Sequence, residues 1–381
     1  MKLTFPELEA VYNKWLAIFD PDLIKIVYAA VVAHHYKSNP IWLLVLGPVS
    51  GGKTTLLESL AKSQMIHSIS TLTPAAVASG SDSSRSASFV FQANGKVAII
   101  KEFNNIMAMH SEARNALFGM LREVYDGTLI RKTGRTEINW KGKISLIAGG
   151  TPQIESSRAL EATLGERFIT VKMKAATEKQ IDDILLSSTK HTINKEAMEN
   201  DLSKAAKCFL DENFPILATT LSSGIIKTIQ QASKAIVKLR TGVLRDGQGA
   251  KEITSPIEIG ELPARVNSQL ELITLGLASL GHDDKDQARI ILRLMRDGIP
   301  TIRLRTAAAI MANCQSHGEI SDYVKVSQGT ISRTIEELKF LGIIEQQGRD
   351  WIIADKILEE AVKSLILIKI VPPQVVIAST P

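Results

Sequence analysis

Cysteine, aromatic residues and long apolar runs are all scarce in this chain of 381 residues. Its two cysteines are too few for a disulfide framework, and a content of 45% hydrophobic residues excludes a disordered or collagen-like protein. No run approaches the roughly 18 apolar residues of a transmembrane helix, and the first residues lack a secretory signal pattern. We therefore expect a cytoplasmic protein with no membrane partner, long enough for two or three domains.

A glycine-rich segment, Gly47–Thr54, matches the phosphate-binding motif G-x-x-x-x-G-K-[ST] at every fixed position. The apolar run 41–46 before it predicts a buried strand and the residues after it predict a helix, which is the context that the motif requires. Backbone N–H groups of such a loop surround a phosphate, the lysine neutralises the β- and γ-phosphates, and the threonine hydroxyl joins the Mg²⁺ shell. The sequence thus predicts ATP and Mg²⁺ as cofactors, bound by Gly47, Pro48, Val49, Ser50, Gly51, Gly52, Lys53, Thr54 and Thr55.

Hydrolysis of a bound nucleotide also needs an acidic residue at the end of a neighbouring strand. The apolar run 97–100 predicts such a strand, and Lys101 and Glu102 follow it. Glu102 is the predicted general base and, with Thr54, a predicted metal ligand. Lys101 stands where Asp is common in nucleotide hydrolases with this loop. Two registers of the acidic position are therefore open, and the metal could instead rest on Thr54 and water.

The alternation of predicted strands and helices up to about residue 172 indicates an α/β fold with a parallel sheet. The order of a glycine loop, an acidic strand end, an amphipathic helix over 111–125, a hairpin and a strand ending in GGTP resembles the AAA+ P-loop ATPases. Within that class it is similar to the minichromosome-maintenance helicases and to related viral and mobile-element helicases. The resemblance covers about residues 8–280 and implies an α-helical lid after the ATPase core.

The resemblance also implies roles for three residues. Thr151, before Pro152, matches the sensor-one position, where Asn is commoner. Arg167, in the segment LGERF, matches the arginine finger that a neighbouring subunit inserts to neutralise charge on the γ-phosphate. Arg265 matches the sensor-two arginine of the lid.

Residues 127–143 predict a basic hairpin, with five Lys and Arg against the single acid Glu137. The net charge of the whole chain is only +5, so the position of the positive charge matters more than its total. Such a hairpin could contact the phosphates of a strand threaded through a ring, or its charges could serve solubility alone. The predicted DNA contacts are Arg131, Lys132 and Arg135.

The segment VSQGTISRTIEELKFLGII resembles the turn and second helix of a winged helix-turn-helix domain. The helical pattern leaves Gln328, Thr330, Arg333 and Thr334 facing outward, near the end that would meet duplex DNA. Two predicted strands follow, with Arg349 at the tip of the wing. The first three of these residues and Arg349 are predicted DNA contacts, although a winged helix can also serve protein contacts alone.

These features divide the chain into five predicted segments. They are an N-terminal helical preface at 1–40, an AAA+ ATPase core at 41–172, a helical lid at 173–284, a winged helix-turn-helix at 285–358 and a tail at 359–381.

The first functional hypothesis is an ATP-driven DNA translocase or helicase that forms a homo-oligomeric ring, a hexamer by resemblance. A single strand would pass through the channel and duplex DNA would bind the winged helix. The compact chain suggests a small replication protein, and the resemblance implies that it comes from a phage or mobile element and acts in the host cytoplasm, with a primase or initiator as a candidate partner. The alternatives are an ATP-gated DNA-binding regulator or helicase loader that hydrolyses ATP without unwinding, and a nucleotide-binding scaffold with weak hydrolysis.

Overall fold

The computed structural model describes most of the chain. The described residues are 3–16, 20–49, 51–78, 87–133, 136–156, 167–191, 194–246, 252–256, 262–348, 350–354, 358–360 and 362–363. The chain forms two compact units, the first of Met1–Ile229 with Ala264–Leu294 and the second of Gln230–Pro263 with Met295–Pro381. The predicted lid segment, 173–284, therefore contributes residues to both units. The division of the chain into five segments remains a prediction.

The strands are β1 (Trp42–Leu46), β2 (Ile66–Ile69), β3 (Val97–Ile100), β4 (Thr128–Thr133), β5 (Thr136–Lys141), β6 (Ser145–Gly150), β7 (Phe168–Lys172), β8 (Val243–Asp246), β9 (Glu252–Pro256), β10 (Ile344–Gln347) and β11 (Asp350–Ile353). The helices are α1 (Phe5–Trp15), α2 (Pro21–Ala33), α3 (Lys53–Ser59), α4 (Pro74–Val77), α5 (Phe89–Gln92), α6 (Phe103–Met107), α7 (Ser111–Tyr125), α8 (Glu178–His191), α9 (Lys195–Lys207), α10 (Ser223–Arg240), α11 (Ala264–Ser279), α12 (Asp284–Asp297), α13 (Thr301–Met311), α14 (His317–Val324) and α15 (Gln328–Phe340). A 3₁₀ turn, Leu60–Lys62, prolongs α3. No helix in the described ranges is both long and apolar enough to cross a membrane.

The first unit is built on a five-stranded sheet in the order β2-β3-β6-β1-β7, with every neighbouring pair parallel. This confirms the predicted α/β class. Each residue of β1, β3 and β6 is buried, as expected for largely apolar strands that are covered on both faces. Full burial of one such Leu or Val contributes about 1.5–3 kcal/mol. Because the strands are parallel, the residues that follow β1, β3 and β6 all lie at the carboxyl end of the sheet.

Helix α2 is almost entirely apolar and buried, and α11 packs against it. Their backbones approach closely at Gly276, where an added Cβ would collide with the backbone of Ala29. A side chain at this position would force the two helices apart. This packing fixes the start of α11, which carries Arg265, within the first unit.

The second unit includes the hairpin β8–β9 and the helices α13, α14 and α15, which the hairpin β10–β11 follows. Arg303 on α13 is buried and donates hydrogen bonds to the carbonyl oxygens of Leu239 (3.1 Å) and Thr241 (2.6 Å) and to Glu337 Oε2 (3.0 Å). The sequence predicts a mostly helical pattern over 177–283, and α8, α9, α10 and α11 confirm it, but the strands β8 and β9 were not predicted. Their residues Val243, Ile253 and Thr254 are β-branched, a type that favours strands.

Candidate functional site

The glycine-rich loop leaves β1 at the carboxyl end of the sheet, between β6 and β7. Gly47 N–H donates to the carbonyl of Gly150 at 3.1 Å, and Gly51 N–H donates to the carbonyl of Pro48 at 3.3 Å. Gly52 has a φ of 83°, in the left-handed region that a glycine adopts without strain. The loop is therefore tied to β6 at its start and turns sharply before α3.

A buried ion pair between Arg293 and Asp20 lies next to the strand end that contacts this loop. Arg293 on α12 donates to both carboxylate oxygens of Asp20 at 2.6 and 2.5 Å and to the carbonyl of Lys172 at 2.8 Å. The next residue, Met173, donates its N–H to the carbonyl of Leu46 at 2.7 Å, and its side chain fills the space where Gly47 would carry a Cβ. The end of β7 is thus held against the first residue of the loop.

Lys53, the first residue of α3, is buried with only 5% of its surface exposed. Its Nζ donates to the carbonyl of Pro48 within the loop at 3.1 Å. Burial lowers the pKa of Lys53, and the negative charge of Glu102 acts in the opposite direction. Lys53 and Glu102, far apart in sequence, are therefore close enough for their charges to interact. An anion placed in the loop would offset the cost of burying this ammonium group.

The other predicted loop residues differ in exposure. Val49 is 79% exposed, while Gly51, Gly52, Thr54 and Thr55 are half-buried. Gly47 is buried and Pro48 is exposed. Ser50 lies outside the described residues.

The end of β3 carries the predicted general base and the unusual lysine. Glu102 is exposed at the position immediately before α6. Lys101 Nζ donates to Glu58 Oε1 on α3 at 2.7 Å, with 28% of the lysine side chain and 45% of the glutamate side chain exposed. The lysine charge is thus offset by a carboxylate that the sequence did not single out.

Thr151 follows β6 at the same end of the sheet and has a partner that sequence reasoning missed. Thr151 N–H donates to Asn104 Oδ1 at 2.8 Å, and Asn104 Nδ2 donates to Thr151 Oγ1 at 2.8 Å. Asn104 comes two residues after Glu102, at the start of α6. In the sequence, the only signal for Asn104 was its polar side chain two residues after the candidate base Glu102.

The residues at this end of the sheet fit a magnesium ion that is held mainly by phosphate oxygens and water. Mg²⁺ keeps several waters and commonly takes only one or two protein ligands, which the half-buried Thr54 hydroxyl and the exposed Glu102 carboxylate could supply. Within the described ranges, no group of three or more His, Cys, Asp or Glu is placed to hold a metal by itself. The donor set therefore suits a metal that arrives with a nucleotide.

Arg167 immediately precedes β7 and so lies at the amino end of the sheet. Its guanidinium donates to Asp126 Oδ2 at 3.1 Å and lies 5.4 Å from the ring centre of Tyr125. The side chain is 11% exposed, and burial lowers its pKa, while Asp126 raises it. Gln269 on α11 donates to the carbonyl of Arg167 at 2.6 Å and to the hydroxyl of Tyr125 at 3.1 Å.

Arg265, half-buried at the start of α11, belongs to the same cluster. Burial raises the pKa of Tyr125 and lowers the pKa of Arg167, and the positive charge of Arg265 lowers both pKa values. The structure thus brings two of the predicted catalytic residues together, and brings Lys53, Glu102 and Thr151 together at the other end of the sheet. Strand β7 is five residues long, so its two ends are about 13 Å apart at 3.3 Å per residue.

The hairpin β4–β5 also begins at the amino end of the sheet, directly after α7. One face packs on the protein through Leu129, Ile138 and Trp140, which are buried. Arg131 shares this face by register and pairs with Glu123 at 3.0 Å. The opposite face exposes Lys132, Glu137 and Lys141 and also Ile130, which is 55% exposed. Arg135 lies outside the described residues.

In the second unit, α14 and α15 are joined by a short turn in which Lys325 has a φ of 64°. Ser327 caps α15, since its hydroxyl oxygen accepts from Thr330 N–H. Gln328, Thr330 and Arg333 are exposed near the start of α15, as predicted. The prediction was wrong for Thr334, which is 5% exposed and donates its hydroxyl to the carbonyl of Thr330 at 2.9 Å. Its position on the helix lies beside the buried Ile331 and Ile335.

The two strands that follow α15 occur as predicted. β10 and β11 pair in antiparallel register, with Gln347 opposite Asp350 next to the turn. Gly348 has a φ of 65°, which favours glycine at this point of the turn. Arg349, the predicted tip contact, lies outside the described residues.

No protein-family model matches the sequence, and comparison with curated proteins gives no match either.

Proposed function

We propose that this protein is an ATP-dependent DNA translocase or helicase that works as a ring of identical subunits. The observation that carries the proposal is the buried Lys53 ammonium group in a glycine loop at the carboxyl end of a parallel sheet. A buried charge is stable only when it is paired. A triphosphate would add negative charge at Lys53 beyond that of Glu102, and the loop N–H groups and Thr54 would hold its other oxygens.

The residues around Lys53 support hydrolysis as well as binding. Glu102 is exposed near Lys53, where its carboxylate can accept a proton from an attacking water. Thr151 lies after the neighbouring strand β6, on the side from which a sensor would contact the terminal phosphate. A bound Mg²⁺ would neutralise charge on the phosphates.

The positions of Arg167 and Arg265 favour a ring over a single subunit. They lie together at the amino end of the sheet, whereas Lys53 lies at the carboxyl end. The separation of about 13 Å along β7 is too great for Arg167 to neutralise the phosphate bound to its own chain. An arginine placed there can act on the nucleotide only from a neighbouring subunit.

Two surfaces support a nucleic-acid partner. The exposed face of β4–β5 carries Lys132 and Lys141, whose charges suit the phosphates of a nucleic-acid strand. In the second unit, the exposed start of α15 offers Gln328, Thr330 and Arg333 for a duplex groove. We propose single-stranded DNA at the hairpin and duplex DNA at α15, in the replication of a phage or mobile element.

A second candidate function is an ATP-gated DNA-binding regulator or helicase loader. The ion pair between Lys101 and Glu58 favours it, because Lys101 replaces an acid that commonly serves metal binding. Slow turnover would suit a switch better than a motor.

One experiment separates these functions. The ATPase rate is measured with and without single-stranded DNA, alongside the solution mass with ATP and the unwinding of a forked duplex. Strand-stimulated turnover by a ring-sized assembly that unwinds the fork supports the motor. Turnover and DNA binding without unwinding support the regulator, and a monomer that neither binds nor hydrolyses ATP excludes both.

A further inference from the structure

Asn104 lies between the candidate base and the candidate sensor. Phe103, the residue between Glu102 and Asn104, is fully buried, with its ring centre 5.6 Å from that of Phe168. Successive side chains in the first turn of a helix point in different directions. Burial of Phe103 therefore anchors α6 while Glu102 stays in solvent and Asn104 is half-buried against the end of β6.

The amide of Asn104 matches Thr151 in both directions. Oδ1 accepts from Thr151 N–H and Nδ2 donates to Thr151 Oγ1, each at 2.8 Å. A carboxylate at this position would lack the donor, and an apolar side chain would lack both groups. The two hydrogen bonds together also fix which end of the amide faces which atom.

The two glycines before Thr151 allow this contact. A Cβ on Gly149 would lie 2.7 Å from the carbonyl oxygen of Lys101, so a side chain there would push the ends of β3 and β6 apart. A Cβ on Gly150 would lie 3.3 Å from Asn104 Oδ1 and would collide with Ile154. The GGTP sequence thus brings α6 and Thr151 within hydrogen-bonding distance.

A threonine hydroxyl has one proton to donate and two lone pairs that accept. Asn104 Nδ2 occupies one lone pair of Thr151 Oγ1, so the hydroxyl proton points to another acceptor. We propose that Asn104 is a positioning residue that keeps Thr151 as a hydrogen-bond donor toward the terminal phosphate of a bound triphosphate. This inference rests on the proposed ATP hydrolysis and adds a residue that the sequence did not indicate.

The test compares Asn104→Ala, Thr151→Ala and the double variant in the full-length protein. Removal of one preorganised donor lowers kcat by about 10²–10³-fold, and we expect this loss for Thr151→Ala. Asn104→Ala should lower kcat by at least about 10-fold. The double variant should be no slower than Thr151→Ala, because both changes act through the same hydroxyl group. Thr151→Ser, which keeps the hydroxyl, should retain activity and should still lose it on addition of Asn104→Ala.

Nucleotide binding without turnover gives a second readout. The dissociation constants of a non-hydrolysable ATP analogue and of ADP are measured for each variant. Asn104→Ala and Thr151→Ala should both reduce the preference for the triphosphate, whereas the affinity for ADP should stay within about 2-fold, since only the terminal phosphate is contacted. Asn105→Ala, a change of the adjacent exposed asparagine, is the matched control and should alter neither quantity.

The outcomes separate this inference from the proposed function. A wild-type protein that does not hydrolyse ATP overturns the proposed function itself. An active wild type with kcat and triphosphate preference unchanged in Asn104→Ala, or losses that multiply in the double variant, overturns the role of Asn104 alone. If Asn104→Ala does not fold, Asn104→Asp keeps the shape and the acceptor for Thr151 N–H. Asn104→Asp lacks the amide group that donates to Thr151 Oγ1, so full activity of this variant would also overturn the inference.

Discussion

Lys101 Nζ lies 2.7 Å from Glu58 Oε1, so the end of β3 is joined by an ion pair to the helix that follows the glycine loop. Glu58 is four residues after Thr54, on the same face of α3. Where an Asp commonly stands at the end of this strand, the protein has Lys101, and the carboxylate of Glu58 offsets its positive charge. Because both side chains are partly exposed, the pair adds only about 0–1 kcal/mol to the free energy of unfolding.

Restoring an acid at the end of β3 should strengthen metal binding. In the double variant Lys101→Asp with Glu58→Gln, the new carboxylate faces the predicted metal without a neighbouring acid that would repel it. We expect the Mg²⁺ concentration for half-maximal ATPase activity to fall, while Glu58→Gln alone should not lower it. An unchanged or higher Mg²⁺ requirement in the double variant would show that position 101 does not face the metal.

Arg167→Ala should abolish hydrolysis and spare nucleotide binding. Arginine fingers contribute about 10³–10⁵ to the rate, so we expect a loss in that range. Asp126→Ala breaks the same ion pair but keeps the arginine, and it should retain activity. Mixing Arg167→Ala with Lys53→Ala should restore turnover, because some interfaces then combine an intact loop with an intact arginine. An inactive mixture of folded variants would argue against action on a neighbouring subunit.

The exposed face of the β4–β5 hairpin should contribute to single-strand binding. Lys132→Ala with Lys141→Ala removes two charges, and each lost phosphate contact lowers the salt slope of binding by about 0.7 for single strands. We expect the slope of log K against log salt concentration to fall by about 1.4. Lys204→Ala with Lys207→Ala, on the exposed surface of α9, removes the same charge and is the control. If both double variants changed the salt slope equally, the hairpin would contribute to binding only through the overall charge of the protein.

The stability of the first unit should fall in mild acid because of His34. Burial lowers the pKa of His34 from 6.5 to about 4. The unfolded chain therefore binds a proton below pH 6.5 that the folded protein does not bind until about pH 4, and stability is lost across that window. We expect His34 to lower the free energy of unfolding by about 2 kcal/mol between pH 7 and pH 5. Urea unfolding of His34→Gln should lack this loss, whereas His317→Gln, a change of an exposed histidine, should keep it.

Local sequence patterns were sufficient for the central elements of the fold. The runs that form β1 and β3 are apolar throughout, and the run that forms β6 is apolar apart from Ser145. The amphipathic residues 111–125 form α7 within the same bounds. The strand order was not predictable, because it depends on pairings between distant segments. The β8–β9 hairpin was missed because a short β-branched segment lay within a long stretch of helical periodicity.

The candidate site was predictable where a motif fixes both residue type and spacing. Lys53 and Thr54 belong to such a motif, whereas Asn104 and Glu58 do not, and their partners are 47 and 43 residues away in sequence. The placement of Arg167 opposite Lys53 follows from the direction of β7, which only the pairing of β7 with β1 reveals. Contacts across the sheet therefore carry the information that the sequence lacked.

The most direct test of the proposed ATP site compares the wild type with Lys53→Ala for binding of labelled ATP and for turnover with single-stranded DNA. Lys62→Ala, a change of an exposed lysine just after α3, is the matched control. We predict that the wild type and the control bind ATP and hydrolyse it faster with DNA, and that Lys53→Ala loses at least about 10²-fold in turnover. Turnover of Lys53→Ala equal to that of the wild type, or a wild type that binds no ATP, would contradict the proposed function.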